Sequence, residues 1–155
     1  MEAFRWCTRG LNRLVMLPWF RFGRGPRPTR AGGWLCVLRT RGRRSGKARE
    51  IPLDYAPAGS DAIWIGAGFG ERTQWLHNVR ADPHVEVNLQ GRWRRGLATE
   101  ITDPGERVRG GRELMTHAGF MGYIYGFSPY RVSDRRLARA LRDMVLLRVD
   151  LSPST

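Results

Sequence analysis

The sequence predicts an α+β protein built on a small barrel of six short, mostly antiparallel strands with short flanking helices. Three observations carry this. Short apolar or alternating runs recur between glycine and proline turns, as in Ala62-Ile-Trp-Ile-Gly-Ala67 and His84-Val-Glu-Val-Asn-Leu89. One neighbouring pair, joined through Gln90-Gly91, has the form of a hairpin. Helical signals are few, which favours a barrel over a parallel sheet with crossover helices. At 155 residues the chain is one domain, long enough to bury a core without disulfides.

Residues 1–25 interleave Phe4, Trp6, Leu11, Leu14, Val15, Leu17, Trp19 and Phe20 with Arg5, Arg9, Arg13, Arg21 and Arg24. This is the pattern of a basic amphipathic helix, which suits either an anionic membrane surface or packing of its aromatic side on the domain or a partner subunit. Pro18 interrupts its apolar stretch and no small-residue cleavage site follows, which argues against a signal peptide. Residues 26–33 are a proline- and glycine-rich connector, and residues 34–152 form the barrel domain.

Within the domain, strands Trp34–Arg39 and Arg49–Tyr55 flank a basic glycine loop. Pro57 to Asp61 is a turn into the strand Ala62–Ala67, and Gly68-Phe-Gly70 breaks the chain after it. Thr73 is placed to cap a short helix through Trp75, Leu76 and Val79, ended near Asp82-Pro83. The hairpin strands His84–Leu89 and Arg92–Ile101 follow. Asp103-Pro104 opens a helix, with an aspartate cap and a proline at the first position. A Gly-, Tyr- and Phe-rich stretch runs from His117 to Tyr130, Ser133 caps a helix over residues 134–143, and Met144–Leu151 closes as a strand.

The formal charge of +13 favours polyanionic partners, namely nucleic acid, acidic lipid or a multiply charged cofactor. Lys47 is the only lysine, so a coding bias toward arginine accounts for part of that excess. The clustering is more telling: five cations lie between Arg41 and Arg49, with Gly42, Gly46 and Ser45 among them. Arginine forks, a hydroxyl and close-approaching amides suit a phosphate-bearing ligand. Cys7 and Cys36 form no metal pattern, His77, His84 and His117 are scattered, and no metal site is expected. No apolar run approaches the ~20 residues that span a bilayer. A cytoplasmic protein is expected, with a peripheral position at the inner face of the membrane through residues 1–25 left open.

Thr40-Arg-Gly-Arg-Arg-Ser-Gly-Lys-Ala-Arg-Glu-Ile-Pro-Leu53 resembles the T-T-G-R-[KR]-[ST]-G-x-x-R-x-x-P-L signature of the deazaflavin-dependent nitroreductase family. Gln74-Trp-Leu-His-Asn78, followed by Ala81-Asp-Pro-His-Val-Glu-Val87, is similar to that family's W-x-x-N-x-x-A-[ND]-P-x-V-x-V block at the expected distance. The resemblance implies a split β-barrel, like that of flavin mononucleotide (FMN)-binding proteins, that binds coenzyme F420, a 5-deazaflavin with a phosphate and a polyglutamate tail. It further implies hydride transfer from the reduced cofactor to an unsaturated, quinone-like or nitroaromatic acceptor. Carried over by position, Arg43, Arg44, Ser45, Gly46, Lys47 and Arg49 match the loop that holds phosphate and tail. Ile51 and Pro52 match the strand beneath the ring. Ala67, Gly68, Phe69 and Gly70 match the following strand end and turn, and Trp75 and Asn78 the short helix. The chain departs from the pattern at three places: Ala48 stands where proline is common, Asp54 where an aromatic is frequent, and Gly68-Phe-Gly-Glu71 lacks the lysine of a common Ser-Lys-Gly-Gly turn.

Reduction of such an acceptor also needs a proton, and Tyr123, Tyr125 and Tyr130 lie in the flexible aromatic stretch as candidate donors or acceptor-pocket residues. Other readings stay open here. FMN or haem could occupy the same barrel, with FMN phosphate on the same loop. Arg92, Trp93, Arg94 and Arg95 would suit a small barrel binding single-stranded nucleic acid, a reading disfavoured because it leaves the short-helix block unexplained. A cofactor carrier without turnover is a third reading, and pairing into a homodimer is also open.

Overall fold

Side-chain alternation along six strands sorts this chain into a filled barrel and an outer face. The computed structural model describes residues 33–119 and 126–153. The expected N-terminal helix, nearly all of the connector, and Tyr123 and Tyr125 lie outside the described residues. The strands are β1 (Leu35–Arg41), β2 (Ala48–Pro57), β3 (Ala62–Ala67), β4 (His84–Leu89), β5 (Arg92–Glu100) and β6 (Val145–Leu151). They close in the order β1-β2-β3-β6-β5-β4, and every pairing is antiparallel. Three helices accompany them: α1 (Gln74–Ala81), α2 (Pro104–His117) and α3 (Asp134–Ala140). This is the split-barrel architecture expected from the sequence.

Cys36 and Leu38 of β1, Ile63 and Ile65 of β3, Val85 and Val87 of β4, and Leu147 and Val149 of β6 fill the interior. Cys36 is fully buried, and burial pushes its thiol pKa far up, so it acts as a small hydrophobe. Trp75, Leu76 and Val79 of α1 join the same cluster. Outside the barrel, Leu114 of α2 packs on Ala56, Trp64, Ile101 and Leu146. Met115 of α2 then meets Val132, Leu137 and Leu141 around α3.

Caps and turns show where local signals held. The hairpin turn places Gln90 at φ 54° and Gly91 at φ 90°, the double left-handed conformation that matches strand twist. Asn88 Oδ1 accepts the Gly91 N–H at 2.8 Å. Asp103 Oδ1 accepts the Glu106 N–H at 2.7 Å, with Pro104 at the start of α2. Asp103→Ala should therefore cost about 1 kcal/mol of stability in urea denaturation, because it orphans an N–H at a helix that covers one barrel face.

Thr73 and Ser133 hold N-cap positions, but neither hydroxyl bonds its helix. Thr73 Oγ1 is sealed in without a partner among the described residues, while its N–H donates to the Gly70 carbonyl. Beside Ser133, Arg112 ties down the entry to α3 by donating to the Val132 carbonyl and to Asp134 Oδ1, without capping its N–H groups. α3 stops at Ala140 rather than residue 143, because the chain turns through Leu141 to enter β6. β1 and β2 extend past their apolar runs through the pairs Thr40↔Arg49 and Arg41↔Ala48, narrowing the basic loop to residues 42–47.

One irregularity positions the site. β2 pairs with β1 from Ala48 to Asp54, but with β3 only at Tyr55↔Ile65, Ala56↔Trp64 and Pro57↔Ile63. The two strands part beyond Tyr55, so the β3-facing edge of residues 48–54 opens beside the basic loop.

Candidate cofactor-binding site

The basic loop is held closed by its own backbone. Gly42 N–H donates to the Lys47 carbonyl at 2.9 Å, and Gly46 N–H to the Gly42 carbonyl at 2.7 Å. Gly46 has φ +64°, which a side chain would strain, and a methyl at Gly42 would come within 2.9 Å of Ser45 Oγ. These glycines set the loop's path; the side chains between them are displayed outward.

α1 anchors the loop from across the chain. Asn78 is buried, and its Oδ1 accepts from both the Arg43 backbone N–H at 3.2 Å and Arg43 Nη1 at 3.3 Å. Its amide nitrogen donates to Thr40 Oγ1 at 3.4 Å. Arg43 Nη2 also donates to Gln74 Oε1 at 3.3 Å. Asn78 thus braces the loop from beneath, where sequence alone placed it only as part of a motif.

Loop and helix bound a cleft of about 350 Å³ lined by Gly42, Arg43, Arg44, Ser45, Arg49, Glu50, Ile51, Gln74, Trp75 and Asn78. Seven of the residues singled out from sequence therefore meet around one space. Gln74, Glu50 and Gly42 were not assigned in advance, although Gln74 directly precedes the tryptophan of the second block. Trp75 is 6% exposed and belongs to the barrel core as well as to the cleft wall. Gly46 and Lys47 lie on the loop without lining the cleft, and neither does Pro52 on β2. Ala67 turns its methyl into the core, Phe69 is exposed, and Gly70 is packed on the Asp143 carbonyl. A methyl at Gly68 would meet Met144 Cε at 3.9 Å, an ordinary contact without a clash. Tyr130 is 65% exposed and does not line the cleft.

The electrostatics match an anion. Arg44, Lys47 and Arg49 have no carboxylate partner among the described residues, and the partners of Arg43 are neutral amides. Glu50, by contrast, is engaged by Arg39 Nη2 at 2.8 Å, and Arg39 reaches Glu86 through Nη1 at 2.7 Å while stacking 3.9 Å from the Trp93 ring. Arg39, shared with Glu86, offsets part of the charge of the cleft's one acid, and the more numerous loop cations keep the field at its mouth positive. Asp54, further along β2, has its carboxyl pKa pushed up to about 6 by burial. The Arg92–Arg95 stripe is divided: Arg94 is spent on Asp61 and the Ser152 carbonyl, and Arg39 covers the Trp93 ring.

Unneutralised guanidiniums, a hydroxyl and an open strand edge fit a cofactor with a phosphate and a carboxylate tail. Fold and site define a split-barrel protein that holds an anionic cofactor. The family profile for F420H(2)-dependent quinone reductase matches residues 25–122, and the chain belongs to that family. It is an F420-dependent oxidoreductase, and its cofactor is F420. No curated protein matches the chain. Among solved structures, the fold is shared with one described as a 5-nitroimidazole antibiotic resistance protein from Bacteroides thetaiotaomicron, at TM-score 0.58 and 14% identity over 78% of this chain and 74% of that one. An F420 reductase matches at TM-score 0.51 and 19% identity over 78% and 88% of the two chains. A domain-swapped dimer matches at TM-score 0.53 and 19% identity over 96% and 94%. Among the described residues, no helix is long and apolar enough to cross a membrane.

Proposed function

We propose that this chain reduces a quinone-like, unsaturated or nitroaromatic small molecule with reduced F420, and that the cleft between the basic loop and α1 holds the cofactor's anionic end. The observation that carries this is the clamp of Arg43 onto Asn78, which presents a loop of uncompensated cations beside an open strand edge. When bound, the cofactor supplies a hydride. Arg43, Arg44, Lys47 and Arg49 bind phosphate and tail, with Ser45 and the Gly46 turn completing the cradle. Ile51 and Pro52 support the ring from β2. Ala67, Gly68, Phe69 and Gly70 bound it from the parting strand, and Trp75 shuts one side against water. Donor and acceptor must then meet at about 3–3.5 Å, so the protein's main task is positioning. Tyr123, Tyr125 and Tyr130 are proposed to shape the acceptor pocket or assist proton transfer.

We further propose that residues 1–25 form a separate amphipathic segment, joined by residues 26–33 to the barrel of residues 34–152. That segment would contact either an anionic membrane or a second copy of the chain. A cytoplasmic setting, with the membrane's inner face as a second location, suits this reading.

Fluorescence titration tests the cofactor assignment. F420 fluorescence should be quenched at micromolar protein, FMN should give no response, and reduced F420 should be oxidised only when an acceptor is added. The reverse cofactor preference, or binding without acceptor-dependent oxidation, would overturn the proposal.

A further inference from the structure

We propose that Asp54 delivers the proton that must accompany hydride when a quinone-like acceptor is reduced by this protein; the proposal rests on the F420-dependent reading above. Asp54 is the first residue of β2 beyond the Tyr55↔Ile65 pair, so it sits at the vertex where β2 and β3 part. By strand alternation it shares a face with Pro52 and Glu50, and Glu50 lines the cleft. Asp54 lies four residue steps along the strand from Glu50, or about 13 Å, a reach that suits an elongated cofactor anchored by phosphate at the loop.

The acids on this face differ in their freedom. Glu50 is committed to Arg39. Asp54 has no ion pair or hydrogen bond to its carboxyl among the described residues, and burial alone raises its pKa to about 6. The other titratable or charged groups on the elements around it do not hold its charge. Cys36 on β1 and neighbouring Tyr55 are both shifted up by burial. On α2, Arg107 is spent on backbone carbonyls, and Arg112 on backbone carbonyls and Asp134. His117 Nδ1 lies 2.8 Å from the Glu113 carbonyl and 3.7 Å from the Glu113 carboxylate. β3 carries no titratable side chain. A carboxylic acid of this kind is poised to act near neutral pH.

The balance is complete. Hydride adds two electrons and one proton to the quinone, giving the hydroquinone anion and leaving the deazaflavin oxidised. The Asp54 O–H bond breaks, its proton passes to the anionic oxygen, and the resulting carboxylate is reprotonated by water.

The test uses the full chain. Without cofactor, the Asp54 carboxyl, assigned in carbon NMR spectra by its loss in Asp54→Asn, should titrate near pH 6, whereas a value near 4 would overturn the proposal. A raised folded-state pKa contributes stability that is fully present below the unfolded value and lost as pH rises through the folded one. Melting of Asp54→Asn should therefore rise relative to wild type between about pH 4 and pH 7. With reduced F420 bound, a quinone is compared with an N-methylacridinium cation, which takes hydride at carbon and needs no proton. The quinone-to-acridinium rate ratio should fall about 100-fold in Asp54→Asn. The wild-type quinone rate should decline above about pH 6; a decline only near pH 10 would assign the proton to a tyrosine instead. An unchanged ratio overturns the role of Asp54. Failure of wild type to bind F420 would remove the cofactor reading, and this proposal with it.

Discussion

Replacing Arg43 and Arg49 together by alanine is expected to weaken F420 binding by about two orders of magnitude. Each charge-assisted bond to phosphate or carboxylate contributes about 1.5–3 kcal/mol before screening. Both side chains are exposed, so solvent and salt reduce that to roughly tenfold per arginine. The effects should be nearly additive if the two grip different oxygens. Stability should separate them. Arg49 has no partner among the described residues to lose, so Arg49→Ala should melt like wild type. Arg43→Ala gives up its bonds to Asn78 and Gln74 but leaves the Arg43 backbone N–H on Asn78 Oδ1, so its melting should fall only slightly. Fluorescence titrations at low and high salt check both claims. Normal binding by both single variants would mean that the loop is not the phosphate site.

The loop was legible because its chemistry is local: cations, glycines and a hydroxyl within a few residues announce an anion site whatever lies elsewhere. The strands were legible for a similar reason, since period-two alternation survives wherever one face meets the core. What escaped depended on distance along the chain. Asn78 could be recognised as part of a motif, but its task needs Arg43 and Thr40, 35 and 38 positions away, to arrive on either side. Glu50 reads as one more surface charge until Arg39 and Glu86 come together in one row across three strands. The unused hydroxyls of Thr73 and Ser133 teach the complementary lesson. A cap residue marks where a helix starts, but whether its oxygen is used depends on what packs around it. Asp54 is the sharpest case, because its raised pKa comes entirely from burial that no neighbour in sequence reports.

Glycines 68 and 70 carry the same sequence signal and should respond oppositely to alanine. Gly70 has φ +51°, and a methyl there would collide with the Asp143 backbone carbonyl, just ahead of β6. The left-handed conformation alone costs a side chain about 1–2 kcal/mol, and a rigid carbonyl cannot rotate away as a side-chain tip could. Gly70→Ala should lose about 3 kcal/mol or more in urea denaturation, since relief requires moving the turn at Gly70–Arg72 or the entry to β6. Gly68 has no such strain, and the nearest atom to an added methyl is Met144 Cε at 3.9 Å. Gly68→Ala should leave the protein without cofactor about as stable as wild type. If the parting of β2 and β3 receives the ring, that methyl should instead intrude on F420 and weaken its binding by about tenfold, near the 1.4 kcal/mol of a modest steric clash. Wild-type stability in Gly70→Ala would show that the carbonyl yields. Unimpaired binding in Gly68→Ala would place the ring away from the parted strands, because a methyl tolerated by the protein matters only to a ligand that approaches it.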